Sequence, residues 1–256
     1  MTKIRVLPQL DRLPRTVFPR SESLPADSVT RIHSHAWGQL VFASAGVLLI
    51  RTLTGSHVAP PQRAVWVPPG MPHVVATSQR AEMRSLYIDA GQTIFGPVRC
   101  QVLSVTPLAR ELIQAVAALP ADYEENGPDG RLVAVLLDQL ATLPEAGFSL
   151  PWPTDPRLGT ICQSLTDSPD NPRNAVDWAR SAGMTERTLG RLFLAETGLT
   201  FGEWRRRSRL LSALSLLESG KSVTTAGLEC GYDSASAFIA AFKAAFGLTP
   251  GAFLRG

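Results

Sequence analysis

Three of the four histidines in this chain fall in a pattern that suits metal binding. His33 and His35 are two residues apart, Gln39 follows, and His73 comes after the turn formed by residues 68–70. In an extended strand, residues i and i+2 point to the same face, so His33 and His35 can converge. Imidazole nitrogen is a good ligand for Zn, Ni, Fe or Cu, and Gln39 or water can complete the shell. The pattern therefore predicts a transition-metal site formed by these four residues.

The same region contains aromatic residues that can wall a pocket for an organic molecule. They are Trp37, Phe42, Trp66 and Tyr87. Ligand pockets are mostly apolar, with a few polar groups that fix the orientation of the ligand. Two interpretations therefore stand: a metal site, or a metal-free pocket that the three histidines line. His57, the fourth histidine, lies in a turn-like segment and is predicted at the surface.

Short β-strands are predicted to position these side chains. Residues 29–95 contain runs rich in β-branched and aromatic residues, broken by Gly, Pro and Ser about every ten residues, which is typical of a sandwich or small barrel. Residues 108–123 and 131–143 instead carry apolar residues at helical spacing. Two such helices suit an antiparallel pair that packs either on its own barrel or on a partner subunit.

A proline-rich segment separates the last part of the chain. Four prolines between positions 144 and 156 exclude a continuous helix and indicate an extended linker. We therefore divide the sequence into a strand domain (1–98), a helical pair with linker that is a candidate dimer interface (99–153), and a helical domain (154–256).

Composition places the chain among folded proteins. Its 256 residues are 45% hydrophobic and 18% charged, enough to bury a core. No apolar run reaches the roughly 18 residues of a membrane span, and the N-terminus lacks the apolar segment of a secretory signal, so we expect a cytoplasmic protein. The three cysteines form no Cys-x-x-Cys pair, which disfavours a zinc ribbon. The net charge of +3 does not by itself indicate nucleic-acid binding.

The helical domain repeats itself with an offset of 49 residues. Residues 198–202, Gly-Leu-Thr-Phe-Gly, return as Gly-Leu-Thr-Pro-Gly at 247–251. Each copy has a short helix, at 175–181 or 223–229, then a tight turn and a second helix, which is helix-turn-helix spacing. The helix predicted between the copies, 201–219, would be roughly 28 Å long. That length is close to one turn of DNA, so the two units predict a surface that binds double-stranded DNA.

The second copy carries a motif that is similar to a known family. Residues 223–255 include Gly231-Tyr232, Phe242-Lys243 and Thr249-Pro250, and they resemble the signature of the AraC/XylS transcription regulators. The resemblance covers residues 155–256, and in that family the first recognition helix does much of the base reading. It implies DNA contacts by Glu186, Arg187, Thr188, Arg191, Ser234, Ser236 and Lys243.

The two recognition helices differ in their side chains. Arg187 and Arg191 suit base reading, since Arg can donate two hydrogen bonds to guanine. The second helix is rich in alanine, and Ser234, Ser236 and Lys243 suit phosphate contacts. We therefore expect base specificity mostly in the first unit. The spacer helix adds arginines predicted to face phosphates or solvent: Arg205, Arg206, Arg207 and Arg209.

The histidine pattern resembles the paired motifs of the cupins, His-x-His-x3-Glu followed by Pro-x-Gly-x2-His. This resemblance covers residues 28–90 and implies an α+β chain: a cupin-like β-barrel, a helical pair, and an all-α domain with two helix-turn-helix units. Gln39 stands where metal cupins usually have Glu, and the neutral amide disfavours redox catalysis more than metal binding. Some AraC-like regulators carry a cupin sensor ahead of the DNA-binding domain, in the order found here.

Together the two resemblances imply a DNA-binding regulator, not an enzyme, whose barrel senses a small molecule or a transition metal and alters operator binding. The implied partners are DNA, that effector and a second copy of the chain. Two alternatives stay open: a cupin-type metalloenzyme with an appended helical domain, and a ligand-independent regulator whose barrel only dimerises.

Overall fold

Two separate groups of contacts divide the chain. The computed structural model describes residues 3–7, 10–60, 63–77, 80–92, 94–95, 99–146 and 149–254. The first unit comprises Met1–Thr52 and His57–Ser149, and the second comprises Leu53–Ser56 and Leu150–Gly256. The first is rich in β-sheet and the second is helical, so the predicted α+β class is confirmed.

The strands form two sheets. Their bounds in the described residues are β1 (Lys3–Arg5), β2 (Val17–Leu24), β3 (Ser28–Thr30), β4 (Gly38–Ala45), β5 (Leu48–Thr52), β6 (Gly55–Ala59), β7 (Arg63–Val67), β8 (His73–Thr77), β9 (Ala81–Ile88), β10 (Gln101–Ser104) and β11 (Ser149–Pro151). One sheet has the order β1-β3-β8-β5-β6-β11 and the other the order β10-β7-β4-β9-β2. The strands on either side of β4 are antiparallel to it.

Strand β4 separates two environments. Gln39 lies opposite Tyr87 of β9, whereas Leu40 lies opposite Trp66 of β7. Successive side chains of a strand point to opposite faces of the sheet. Leu40, Trp66 and the next residue of the same parity, Phe42, belong to one hydrophobic core. Gln39 therefore points away from that core.

A pair of helices covers the apolar face of this sheet. They are α1 (Pro107–Ala117) and α2 (Pro128–Ala141). Ile113 and Leu136 are fully buried in the core that contains Leu40 and Phe42, and burying such a side chain stabilises the fold by roughly 1.5–3 kcal/mol. Thr106 begins α1 by accepting a hydrogen bond from the backbone N–H of Ala109. The helical pair therefore packs on the sheet of its own domain.

The second unit contains the remaining helices of the described residues. They are α3 (Pro156–Asp167), α4 (Ala175–Ser181), α5 (Glu186–Thr197), α6 (Phe201–Glu218), α7 (Val223–Glu229), α8 (Ala235–Phe246) and α9 (Pro250–Phe253). The predicted short helices at 175–181 and 223–229 are confirmed. Helices α5 and α8 both end at a glycine in the left-handed region, Gly198 at φ 68° and Gly247 at φ 79°. Nowhere in the described residues is a helix both long and apolar enough to cross a lipid bilayer.

Each helix-turn-helix unit has its own aromatic core. Trp204 of α6 is fully buried beside Phe193 of α5, and its indole N–H donates to the carbonyl of Pro151 at 2.7 Å. In the second helix-turn-helix unit, Phe238 and Phe242 pack edge to face, with ring centroids 5.6 Å apart. These residues occupy the inner faces of α5 and α8, which leaves the opposite faces exposed.

Candidate metal centre and nucleic-acid interface

The structure brings the three predicted histidines together. The ligand atoms of His33, His35 and His73 all lie within 4.8 Å of one another. His33 and His73 exchange two backbone hydrogen bonds of 3.1 and 2.9 Å. The expectation that one extended strand carries both His33 and His35 is wrong, because β3 ends at Thr30 and His35 lies in the loop before β4. A backbone bridge and a loop, not one strand face, therefore make the histidines converge.

Each of these imidazoles has its Nδ1 atom beside a backbone carbonyl oxygen. The Nδ1 atoms of His33, His35 and His73 lie 2.9, 2.6 and 2.8 Å from the carbonyl oxygens of residues 31, 37 and 71. A neutral ring that donates from Nδ1 carries its lone pair on Nε2. Such backbone contacts are the usual second partner of a metal-binding histidine. The three Nε2 atoms are thus the available ligand atoms.

Gln39 completes the cluster. It is buried, and its Oε1 lies 3.0 Å from His73 Nε2 and 3.1 Å from His35 Nε2. Its amide nitrogen donates to Ser85 Oγ at 2.7 Å. These contacts place Gln39 beside two of the three candidate ligand atoms and anchor it from β9.

The protonation state of His73 makes the contacts of Gln39 informative. Burial lowers the pKa of His73 to about 4, and burial also lowers the pKa of His33. A neutral imidazole has one N–H, but both nitrogens of His73 face oxygen atoms. One of the two contacts of His73 therefore brings a nitrogen lone pair against an oxygen lone pair. This repulsion is relieved if the side-chain amide of Gln39 is flipped, or if a cation lies between the two atoms. Ligand atoms about 3.3 Å apart are expected around a tetrahedral zinc with bonds of about 2.0–2.1 Å. The contacts of Gln39 are near that spacing and the three histidine atoms lie within 4.8 Å, and imidazole and amide donors suit a transition metal.

A cavity of about 750 Å³ adjoins the histidines. Its wall includes Trp37, stacked on His35 at 5.3 Å, and Tyr87, also 5.3 Å from His35. Phe42 and Trp66, also predicted to wall a pocket, lie instead in the core under the helical pair. The physical reason is strand alternation: both residues face the side of their sheet opposite to Gln39.

Two arginines beside this cavity were not predicted. Arg5 and Arg20 both form ion pairs with the carboxylate of Glu22. Arg20 Nη1 also donates to the hydroxyl of Tyr87 at 2.8 Å. The sequence carries no motif for this cluster, because β1 and β2 lie outside the segment with the histidine pattern.

The prediction for His57 is wrong. It lies in β6 with only 6% of its surface exposed. Neither ring nitrogen has a hydrogen-bond partner among the described residues. Burial lowers the pKa of His57 to about 4, although Glu145 opposes this shift. His57 is therefore a neutral buried side chain, apart from the histidine cluster.

The first recognition helix presents most of its predicted DNA contacts. Thr185 precedes α5 and accepts from the backbone N–H of Thr188. Glu186, Arg187 and Arg191 are exposed. Thr188 is half-buried, and its hydroxyl lies 2.9 Å from that of Thr185, so its first role is in the helix start.

The second recognition helix offers fewer functional groups. Ser236 and Lys243 are exposed on α8. Ser234 is the residue before the helix, and its hydroxyl oxygen accepts from the backbone N–H of Ala237 at 3.2 Å. Its hydroxyl hydrogen is still able to donate to a phosphate.

Two spacer-helix arginines have an internal role that differs from the predicted phosphate contact. Arg205 donates to the carbonyls of Asn171 and, at 2.8 Å, Arg173. Arg209 donates to the carbonyl of Pro169 at 2.9 Å. Both hold the loop between α3 and α4 on α6, because its carbonyls have no helical partner.

Two family descriptions match the chain. Residues 16–141 match an AraC-like ligand binding domain, and residues 178–256 match a helix-turn-helix domain. The chain is 34% identical over 223 residues to the HTH-type transcriptional regulator NimR of Escherichia coli strain K12, covering 87% of this chain and 81% of that protein.

Solved structures give weaker likenesses. ToxT from Vibrio cholerae is 9% identical, with a TM-score of 0.41 over 94% of this chain and 98% of that one. The DNA-binding domain of AdpA, solved in complex with a target DNA, is 28% identical, with a TM-score of 0.37 over 40% of this chain and 92% of that one.

Proposed function

The chain belongs to the AraC family of DNA-binding transcription regulators, and we propose that its N-terminal domain controls DNA binding by taking up a transition metal or a small molecule at the histidine cluster. The family assignment makes the chain a regulator and not an enzyme. Zn, Ni, Fe and Cu are the candidate metals.

One observation carries the metal part of this proposal. The ligand atoms of His33, His35 and His73 lie within 4.8 Å of one another, and each ring has its Nδ1 beside a backbone carbonyl. Gln39 Oε1 lies 3.0 and 3.1 Å from the Nε2 atoms of His73 and His35. His33, His35, His73 and Gln39 would hold the ion, and the ion would supply a positive charge that the four neutral ligands do not cancel. A small molecule would enter from the adjoining cavity, where Trp37 and Tyr87 form the wall.

The DNA part of the proposal assigns roles to exposed side chains. Arg187 and Arg191 read bases from α5, with Glu186 and Thr188 beside them. On the second unit Ser234, Ser236 and Lys243 contact phosphates. This division follows from side-chain chemistry, since arginine can donate two hydrogen bonds to guanine, whereas the alanine-rich second helix offers few groups for specific hydrogen bonds to bases.

A homodimer is part of the same proposal. Most of the apolar surface of α1 and α2 packs on their own sheet, but Leu108 is 56% and Val135 is 47% exposed. Light scattering of the purified chain, with Leu108→Ser as the variant, tests whether a second copy covers these residues.

The sensing proposal is tested with the full chain and DNA from upstream of its own gene. Metal content is measured by mass spectrometry, and DNA affinity by fluorescence anisotropy after chelation and after addition of each candidate metal. His33→Ala and His73→Ala are the test variants. His57→Phe is the matched control, because His57 is a histidine of the same domain outside the cluster.

Effector and DNA must change each other's affinity, since the coupling between two sites is reciprocal. We expect metal to bind wild type and the control but not the two variants, and to shift DNA affinity only where it binds. If neither metals nor small molecules shift the DNA affinity of wild type, the domain does not sense an effector.

A further inference from the structure

The cavity beside the histidines has an excess of positive charge. Arg5 and Arg31 line it together with Asp11, while Arg20 and Glu22 lie directly behind its wall. Among the described residues in and behind this wall, three guanidinium groups are thus offset by two carboxylates. A divalent ion held by imidazole and amide groups would raise the excess further, because neither kind of ligand carries a negative charge.

Arg5 has hydrogen-bond donors that no other described residue accepts from. Its side chain is only 10% exposed, and one terminal nitrogen pairs with Glu22. The other, Nη1, is buried and has no hydrogen-bond partner among the described residues. A buried guanidinium N–H without a partner is costly, which favours an acceptor arriving from the cavity.

Arg5 remains charged at neutral pH. Burial and the neighbouring Arg20 lower its pKa to about 10. Glu22 cannot neutralise Arg5 alone, because it is shared with Arg20. An arginine in this state binds carboxylates well, since its planar N–H groups match the spacing of two carboxylate oxygens.

The rest of the cavity suits the body of an organic acid. Ile4, Leu7 and Leu10 line it from the N-terminal segment, and Trp37 also lines it, with its ring stacked on His35. Apolar walls with a few convergent polar or charged groups are typical of a small-molecule site. A bare inorganic anion would leave these walls without a partner.

We propose that the effector of this domain is a small organic carboxylate, whose anionic group lies between Arg5 and the histidine cluster and whose apolar body lies along Trp37. This inference rests on the proposed function, because it names the chemical class of the molecule that the sensing site takes.

Calorimetry on the full chain tests the proposal with a matched pair of probes. 3-Phenylpropionate and 3-phenylpropanamide share a skeleton and differ in charge. Each is titrated into zinc-loaded and chelator-treated protein, wild type and Arg5→Gln. Arg12→Gln is the control, because Arg12 is an exposed arginine of the same N-terminal segment. Arg5→Lys keeps the charge, and in both Arg5 variants Glu22 keeps Arg20 as its partner.

Wild type is expected to bind the acid at least about tenfold more tightly than the amide, the difference that a charge-assisted hydrogen bond gives. Arg5→Gln abolishes this preference, Arg5→Lys retains part of it, and Arg12→Gln leaves it unchanged. The proposal is overturned if wild type binds acid and amide equally or binds neither. It is also overturned if Arg5→Gln keeps the preference, or if inorganic phosphate displaces the acid at equal concentration.

The two proposals fail separately. An Arg5-dependent preference for the acid without any change in DNA affinity supports the carboxylate site and refutes regulation. A metal-dependent change in DNA affinity without a preference for the acid supports regulation and refutes the carboxylate site.

Discussion

The buried histidine of strand β6 is expected to contribute to the acid sensitivity of the N-terminal domain, and His57→Leu should remove that contribution. His57 is 6% exposed, and its ring nitrogens have no partners among the described residues. Burial lowers its pKa from 6.5 to about 4. Leucine has a similar volume and no ionisable group, so the variant keeps the packing and removes the titration.

The sign and size follow from proton linkage. Because the folded-state pKa is lowered, the neutral form is favoured by folding, and its full stability is present above the unfolded pKa of 6.5. As the pH falls from 6.5 to 4, the unfolded chain takes up a proton that the folded chain does not. At pH 5 this difference costs about 2 kcal/mol, and at pH 7.5 it costs about 0.1 kcal/mol or less.

The assay is urea unfolding of wild type and His57→Leu at pH 7.5 and 5.0, with chelator present so that the histidine cluster binds no metal. The free energy of unfolding of the variant minus that of wild type should rise by about 2 kcal/mol between the two pH values. A histidine ring titration by NMR, assigned by the signal missing in the variant, gives the pKa directly. A pKa near 6.5, or an unchanged free-energy difference, would refute the reasoning.

Four other predictions follow from the site and the DNA-binding units. Arg191→Ala should weaken operator binding by about 1–3 kcal/mol and relax the base preference. Lys243→Ala should instead weaken binding to all DNA sequences alike and reduce the slope of log affinity against log salt concentration by about 1; fluorescence anisotropy at several salt concentrations measures both effects. Base-by-base substitution of the operator should show strong discrimination under the first unit only. Gly231→Ala places a Cβ 2.9 Å from Asp170 Cα at a φ of +77°, so its melting temperature should fall further than that of Gly220→Ala, which has similar strain at φ +88° but open space. Gln39→Glu should tighten zinc binding by about tenfold in a chelator competition, because a carboxylate is a better ligand than an amide; equal affinity would exclude Gln39 from the metal shell.

Much of the fold could be predicted from local signals. The helices of the helical domain have apolar residues at regular spacing and N-cap residues that favour helix starts. The spacer helix ends at Glu218, one residue before the predicted end. Strand β2 was not predicted, since Val17–Leu24 contains Pro19 and several polar residues. Proline is tolerated there because β2 is an edge strand, and its place in the sheet is decided by pairing with β9.

The candidate site could be predicted only in part. The histidines belong to a spaced motif, which is a local signal. Arg5 reaches the cavity, and Glu22 reaches Arg5, through strand pairing, which residue spacing does not show. The prediction that Phe42 lines the pocket was wrong, because hydrophobicity alone does not show whether a strand residue faces the pocket or the core under the helices. Its parity relative to Gln39 would have given the correct face.

The unequal roles that we propose for the two DNA-binding units follow from the side chains that each recognition helix exposes. On α5 the inner face uses Leu189 and Phe193, and the exposed face carries Arg187 and Arg191. A bidentate contact between arginine and guanine discriminates by about 1–3 kcal/mol. The exposed face of α8 instead carries alanines at 237, 240 and 244, whose methyl groups can only make apolar contacts. We therefore expect the second helix-turn-helix unit to add phosphate contacts and to fix the position along the duplex, and the choice of sequence to depend on the first.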